Sequence, residues 1–521
     1  MTTLPHVSIP LVATSGIDTK ISLYTIQAGK LVFALKLSGH TEWVRDLHFS
    51  TSFHAQSSDF HVMLASASQD KYVRLWRVQL HRAEEKAEAE LTFDELDSDD
   101  DDGTNALTTR AYEFTATSTE RQACTYTATL DSVLQGHDDW VYSARWQPHS
   151  DQAPLRLVTA SADKSILVWT PDEGTSVWTP RARVGDMGGT ALGFYGAMLS
   201  HHQTRTILIA HNYHGALYAW TNETGDVWTN AIGTSGHFAP VQQLRWDPSG
   251  TFLISVSLDQ TARLYGPWKQ NDTRTTWHEL ARPQVHGYDL RCVTFMNQFQ
   301  YASGADEKVV RVFDAPKTFV KNMVAYTDNQ EFMASMESRP VAANLPPLGL
   351  SNKAIFDSAS VDRDVENQYF ASIASIPTLL TVDDTAIHPP FEPTLLQQTL
   401  WPETEKLYGH GFELVALEAT GHGRYLATAC RATKPEHAVV RLFDTHNQWK
   451  EVSPPLAAHQ LTITTIRTSP DQQWLLTAGR DRSWALFAYH PSNTAPYTVT
   501  TIQPKSHARI IWDVSWTPDS K

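Results

Sequence analysis

The same passage is written twice in this chain, and that repetition limits the fold more than any other feature. The stretch from Gly39 to Trp76 opens with Gly-His and passes through two alternating apolar runs, 43–49 and 62–66. It then turns at Ser68-Gln69-Asp70 and ends on the alternating segment Tyr72 to Trp76. From Gly136 to Trp169 the passage recurs, with an Asp six residues before the terminal Trp in both copies (Asp70 to Trp76, Asp163 to Trp169). Period-2 patterning bounded by turn residues predicts one sheet of short antiparallel strands per copy.

The pattern resembles the WD repeat, whose four-stranded units form the blades of a β-propeller. In that resemblance His40, Ser66, Asp70 and Trp76 match the buried polar set that pins a blade, with Ser68 the weaker choice of serine; the counterparts are His137, Ser161, Asp163 and Trp169. His237 with Asp259, and His459 with Asp481, repeat the pair further on. A blade needs a tight turn between its second and third strands, and an Asp there accepts hydrogen bonds from nearby backbone N–H groups. Imidazole carries one donor and one acceptor, so His can join the turn Asp to a strand hydroxyl, and the indole N–H gives Trp a polar handle. These residues are therefore expected to be structural.

Along the chain the first ordered piece, Gly16 to Tyr24, reads as the back half of a repeat without its Gly-His opening. A degenerate unit ends at Trp220, with His214 where the turn Asp should stand. Further units run from Gly236 to Tyr265 and from His286 to Phe313, the latter with Glu307 in the Asp place. The rhythm resumes from Gly409 to Phe443 and from Ala458 to Phe487, and a last unit starts at His507 and stops after its first strand. Two insertions interrupt it. An acidic and Thr-rich segment, 82–129, is expected to be a solvated loop, since such charge density cannot bury enough apolar surface to fold. A second, 318–400, contains Pro-Pro pairs and is expected to be a loop with at most short helices.

Net charge is −15, but residues 84–102 hold eleven acids and one Lys, which is −10, leaving −5 for the rest. An overall charge signature for nucleic-acid binding is thus absent. The three cysteines, Cys124, Cys292 and Cys430, are too far apart in sequence for a disulfide framework or a zinc site, which fits a reducing compartment. No apolar run reaches the roughly 18 residues that span a bilayer, and the N-terminus lacks a signal-peptide pattern. The expectation is a cytoplasmic protein, with the nucleus also open, and no membrane partner.

No P-loop, GxSxG, HExxH or CxxC motif occurs. No catalytic, cofactor-binding or metal residue is therefore assigned, and no small-molecule substrate is expected. Arg74, Arg263, Arg311 and Arg441 each stand two residues before a terminal aromatic, where packing and strand pairing explain them. Arg431, Arg467, Arg480 and Arg482 break that rule, and are a candidate basic interaction surface.

Several stretches are more particular than a generic repeat: LDQTARLYGPWK (258–269), TWHELARPQVHGYDL (276–290), SGADEKVVRVFDAPK (303–317), LWPETEKLYGHGFEL (400–414) and ARIIWDVSW (508–516). They are similar to the WD-repeat second subunits of Elongator complexes. The resemblance implies an all-β chain of two consecutive WD40 propellers, non-catalytic, that holds the other Elongator subunits, catalytic and scaffold, while another subunit modifies the wobble uridine of tRNA. On this plan 1–232 would hold the last blades of the first propeller and 233–521 the second propeller without its last blades, both rings incomplete. Contact with tRNA would be indirect or weak. A generic WD40 adaptor outside Elongator, and direct RNA binding through the 431–482 arginines, are the competing readings.

Overall fold

The computed structural model describes residues 1–4, 9–27, 29–50, 61–81, 111–117, 123–148, 155–172, 174–185, 193–202, 205–223, 227–271, 274–336, 339–344, 352–356, 388–491 and 495–520. The acidic run 84–102 and the middle of the second insertion lie outside these residues. The chain separates into two compact units, Met1–Thr234 and Ser235–Lys521.

In the first unit, four antiparallel sheets follow one another in chain order. Sheet 1 uses Thr2–Thr3, Pro10–Ser15, Ile21–Gln27 and Lys30–Leu37. The expectation of half a repeat is thereby corrected: the sequence marks of the front half are missing, yet two strands stand there, the first of them two residues long. Sheets 2, 3 and 4 open on β1 (Val44–Phe49), β2 (Val141–Trp146) and β3 (Phe194–His202). Sheets 5 to 8, in the second unit, open on β4 (Val241–Trp246), β5 (Leu290–Asn297), β6 (Leu414–Thr420) and β7 (Ile463–Thr468). From sheet 2 to sheet 4, and from sheet 5 to sheet 8, the opening strand of one sheet packs beside that of the next. These are propeller blades.

The core lies between blades, and the residue pattern explains why. Ala65 and Ala67 in the second strand of sheet 2 are small, so Val141, Ala144 and Trp146 of β2 can close on them. Val158 and Ala160 of sheet 3 receive Phe194 and Leu199 of β3 in the same way. Second strands are covered on both faces, and Leu157–Ser161 and Tyr425–Cys430 are buried throughout. The Gly before His137 has a steric reason: a Cβ at Gly136 would stand 3.0 Å from the ring of Trp169, whereas one at Gly236, before His237, would meet nothing within 4 Å.

Both insertions differ from the expected loops. Residues 123–129 belong to the strand Ala123–Leu134, and Ala111–Thr117 pairs outside it as a fifth strand of sheet 2. Alternating burial of Phe114 and Ala116, with Tyr126 and Ala128 opposite, supplies the apolar face that the charge count of the whole segment concealed. The second insertion separates the third and fourth strands of sheet 6, Val310–Asp314 and Glu403–Leu407, which still pair. It opens with α1 (Lys317–Thr327), which ends at Asp328 in the left-handed conformation, with its N–H on the Val324 carbonyl. Phe319, Val320, Met323 and Tyr326 share one face of α1 and pack with Phe252, Phe299 and Trp401. A second helix, α2 (Glu392–Gln397), is held by Arg282: its guanidinium pairs with Glu392 at 2.6 Å and with Glu279 at 2.6 Å, all three nearly inaccessible.

Candidate functional site

Each blade that keeps the repeat signature contains the same chain of polar contacts. In sheet 2 His40 Nδ1 is 2.8 Å from Asp70 Oδ2 and His40 Nε2 is 2.8 Å from Ser66 Oγ, to which Trp76 Nε1 donates at 3.1 Å. A carboxylate accepts, so Nδ1 carries the proton and Nε2 accepts from the serine. Burial holds the His40 imidazole below its usual pKa, against the pull of Asp70. Burial opposes ionisation of Asp70 as well, but His40 and the Tyr72 and Thr41 amides outweigh it and keep the carboxyl below its ordinary value. The order Ser–His–Asp has the connectivity of a hydrolytic triad. Ser66, however, is fully buried and its hydroxyl is taken by Trp76 and His40, so this arrangement ties strands together.

In sheet 3 the hydroxyl is not Ser161. His137 Nε2 lies 2.7 Å from Thr159 Oγ1, Trp169 Nε1 donates to the same oxygen at 2.9 Å, and His137 Nδ1 is 2.9 Å from Asp163. Ser161 instead donates to the Asp139 carbonyl and accepts from the Asp163 amide. A spacing in the sequence could have found this: Thr159 stands ten residues before Trp169, as Ser66 stands ten before Trp76. The same count yields Ser255, 2.8 Å from His237 while His237 meets Asp259 at 2.8 Å, and Thr477, 2.9 Å from His459 while His459 meets Asp481 at 3.1 Å. Sheet 6 deviates, with His286 Nε2 2.9 Å from Glu307.

The residue after each turn Asp is left-handed: Lys71, Lys164, Gln260 and Arg482 have φ from 67° to 73°. The Asp carboxylate bends the turn by accepting the amide two residues on, from Tyr72, Ser165, Thr261 and Ser483. Where Glu307 or Arg431 replaces the Asp, the following residue does not adopt positive φ.

Arginines four residues past the turn acid do more than pack. Arg74 lies 3.6 Å from Asp70, Arg263 lies 3.7 Å from Asp259 and 3.3 Å from Glu279, and Arg311 lies 2.7 Å from Glu307 and 3.0 Å from Glu403. Arg263 and Arg311 thereby close the turn onto the outer strand, which carries Glu279 and Glu403. The acid-x-x-x-Arg spacing was visible in the sequence.

The opening strands β1 to β7 share a bulge. Pairing slips between Val44 and Asp46, Val141 and Ser143, and Phe194 and Gly196, so Arg45, Tyr142 and Tyr195 stand out of the ladder. Gln242, Arg291, Val415 and Thr464 do so in the second unit, where they line a cleft of about 620 Å³ with Arg245, Arg467 and Trp512. A bulge re-aims one side chain per strand, and repeating it collects side chains from successive blades on one surface.

The candidate arginines differ in exposure and in the acids they already meet. Arg467 is on β7, 19% exposed, 2.8 Å from Asp513 and 3.8 Å from Glu418. Arg431 is exposed and 3.5 Å from Asp306, which Arg291 already holds at 2.6 Å. Arg480 is exposed and Arg482 half-buried, flanking Asp481 on its turn. Among the described residues, no group of three or more His, Cys, Asp or Glu is placed to hold a metal ion, and no helix is long and apolar enough to cross a membrane. Burial pushes the Cys292 thiol up to about 12.

The family described as WD domain, G-beta repeat matches residues 30–77, 128–170, 230–266 and 450–487. Over 99% of its length the chain is similar to Elongator complex protein 2 of Homo sapiens, at 39% identity and covering 62% of that protein. Its similarity to Elongator complex protein 2 of Schizosaccharomyces pombe is 36% over 96% of this chain and 62% of the relative. For Saccharomyces cerevisiae it is 34% over 93% and 59%. The chain thus spans about three fifths of the length of the curated relatives it matches.

Proposed function

We propose, from the premise that this chain belongs with the WD-repeat homologues of Elongator complex protein 2, that it is a non-catalytic scaffold subunit of an Elongator complex. Its partners are the catalytic and scaffold subunits of that assembly. Its contribution to wobble-uridine modification of tRNA is to hold them in place, in the cytoplasm and also in the nucleus. The two compact units serve as portions of two consecutive propellers.

One observation carries this reading: an overall identity of 39% over an alignment that spans 99% of the chain, with a protein named Elongator complex protein 2. The chemistry of the blades supports it. Their buried polar groups are consumed in holding strands together, which leaves loops on rigid sheets as the variable surface that partners can read.

Affinity capture of the tagged chain from its own cells, with the Elongator catalytic subunit quantified in the eluate, tests the proposal. Recovery of that subunit in stoichiometric amount is the expected result. Its absence, with other WD-binding partners present instead, would return the chain to the generic adaptors.

A further inference from the structure

The bulge residues of the first unit form a continuous stack. Arg45 lies over the ring of Tyr142 at 5.5 Å, Tyr142 stacks on Tyr195 with centroids 4.2 Å apart and planes 12° from parallel, and Tyr195 meets Tyr213 at 5.6 Å. Trp140 joins edge-on to Tyr142 at 6.4 Å. Three consecutive blades contribute. The outer members remain in water, Trp140 being 45% and Tyr213 57% exposed, and Trp43, at the repeat position that matches Trp140, is also 45% exposed.

Indoles in the core, such as Trp76 and Trp169, are tied down by their N–H groups, and nothing in blade packing requires a second exposed Trp at the same repeat position. That position carries a further regularity, since a carboxylate immediately precedes each indole, Glu42 before Trp43 and Asp139 before Trp140, all exposed. Asp138 adds a second exposed acid beside Trp140. Of the nearby cations, Arg45 lies on Tyr142 and Arg183 is 3.9 Å from Asp138. Lys71 and Lys164 hold the same place after the turn Asp, beside Trp43 and Trp140 respectively, the first exposed and the second half-buried, so what sets the Trp140 pad apart is its second acid, Asp138.

We propose that the Trp140–Tyr142–Tyr195 surface of the first unit docks an extended polypeptide segment through a lysine or arginine side chain, held between the indole face of Trp140 and the carboxylates of Asp138 and Asp139. An indole face attracts a cation through its quadrupole, and an adjacent carboxylate adds direct charge. The surface is rich in Trp, Tyr and Arg, the residues that dominate protein interfaces. RNA fits it less well, because the faces of Tyr142 are occupied by Arg45 and Tyr195, and phosphates would meet Asp138 and Asp139. This inference stands on the first unit alone and does not depend on Elongator membership.

The test uses the full chain labelled with fluorotryptophan, the Trp43 and Trp140 signals being assigned with Trp43→Phe and Trp140→Phe. Three short Gly/Ser peptides, carrying paired arginines, paired glutamates or neither, and a uridine oligonucleotide are titrated to millimolar concentration by fluorine NMR. The arginine peptide should shift the Trp140 signal more than the other probes, and Asp138→Asn with Asp139→Asn should weaken that response about threefold or more. Asparagine keeps the Oδ1 acceptor that the Trp140 amide uses in Asp139, so the fold is preserved. Equal shifts from the arginine and glutamate peptides, a larger one from the oligonucleotide, an undiminished response in the double variant, or no shift of Trp140 would each overturn the proposal.

Discussion

Glu418 on β6 accepts a hydrogen bond from Arg245 on β4 at 3.2 Å, joining sheet 5 to sheet 7 past the intervening sheet 6. Arg467 on β7 approaches the same carboxylate at 3.8 Å, and the Thr468 amide donates to its other oxygen. Burial raises the pKa of Glu418 and the two arginines oppose that rise. Three blades of the second unit therefore share one charge cluster.

Glu418→Ala leaves Arg245 and Arg467 facing each other without the shared acid. Breaking a fully buried pair costs 3–5 kcal/mol, and the partial exposure of these groups brings the expected loss to about 2–3 kcal/mol. Denaturant unfolding should show this loss. Hydrogen exchange should localise it to the second unit.

Thr159 serves two donors or acceptors where Ser161 serves a turn. Thr159→Val keeps the shape but strands His137 Nε2 and Trp169 Nε1, at about 1–3 kcal/mol for each orphaned group. Ser161→Ala should cost less. Equal losses in the two variants, measured side by side, would contradict the assignment.

In sheet 7, Arg431 occupies the turn-acid place. His410 Nε2 meets Thr428 at 2.7 Å, while the buried Nδ1 has no partner. Burial, with the nearby Arg441 adding repulsion, lowers the His410 pKa from 6.5 to about 4. Between those values the unfolded chain binds a proton that the folded chain refuses, so the contribution is complete above 6.5 and is lost as pH falls toward 4, on the order of 3 kcal/mol. Arg431→Asp should supply the missing partner and raise the His410 pKa, a shift that NMR titration of His410 would detect.

Asp259 and Glu307 carry the opposite kind of group through acid. Burial works against their ionisation, yet His237 and Thr261 hold Asp259 at about 2, and His286 and Arg311 hold Glu307 at about 2. Both are depressed, so their stabilisation is present above about 4.5 and disappears as pH falls through about 2, on the order of 2–3 kcal/mol each. Asp259→Asn and Glu307→Gln should flatten the pH dependence of unfolding in that window.

Arg282 is the counter-charge for both Glu279 and Glu392. Arg282→Met leaves Glu392 buried without its counter-charge and Glu279 with Arg263 alone, with an expected cost of about 3–5 kcal/mol. Because Glu392 belongs to α2, protease cleavage near 388–400 should accelerate before the blades unfold.

Much of the architecture was legible because its cause is local and repeated. Gly-His, turn Asp and terminal aromatic each answer a short-range need: a close approach, an amide cluster, a buried ring. The marks faded where one of those needs is met otherwise, as in sheet 1. Compositional reading failed for 111–117 and 123–129, whose threonines and alternating Phe114 and Ala116 build strands beside an acidic run that dominates the average. Charge reading gave no sign that Arg467 meets Glu418, which lies 49 residues away in sequence.

The sequence by itself determined that the chain is a series of four-stranded units pinned by His, acid and aromatic, because period and turn chemistry act within a few residues. Only the tertiary structure decided that Arg467 meets Glu418, that α1 and α2 are buried, and that Arg45, Tyr142 and Tyr195 meet. Each of these depends on register between strands or on packing between blades, and a one-residue slip reverses which face a side chain takes.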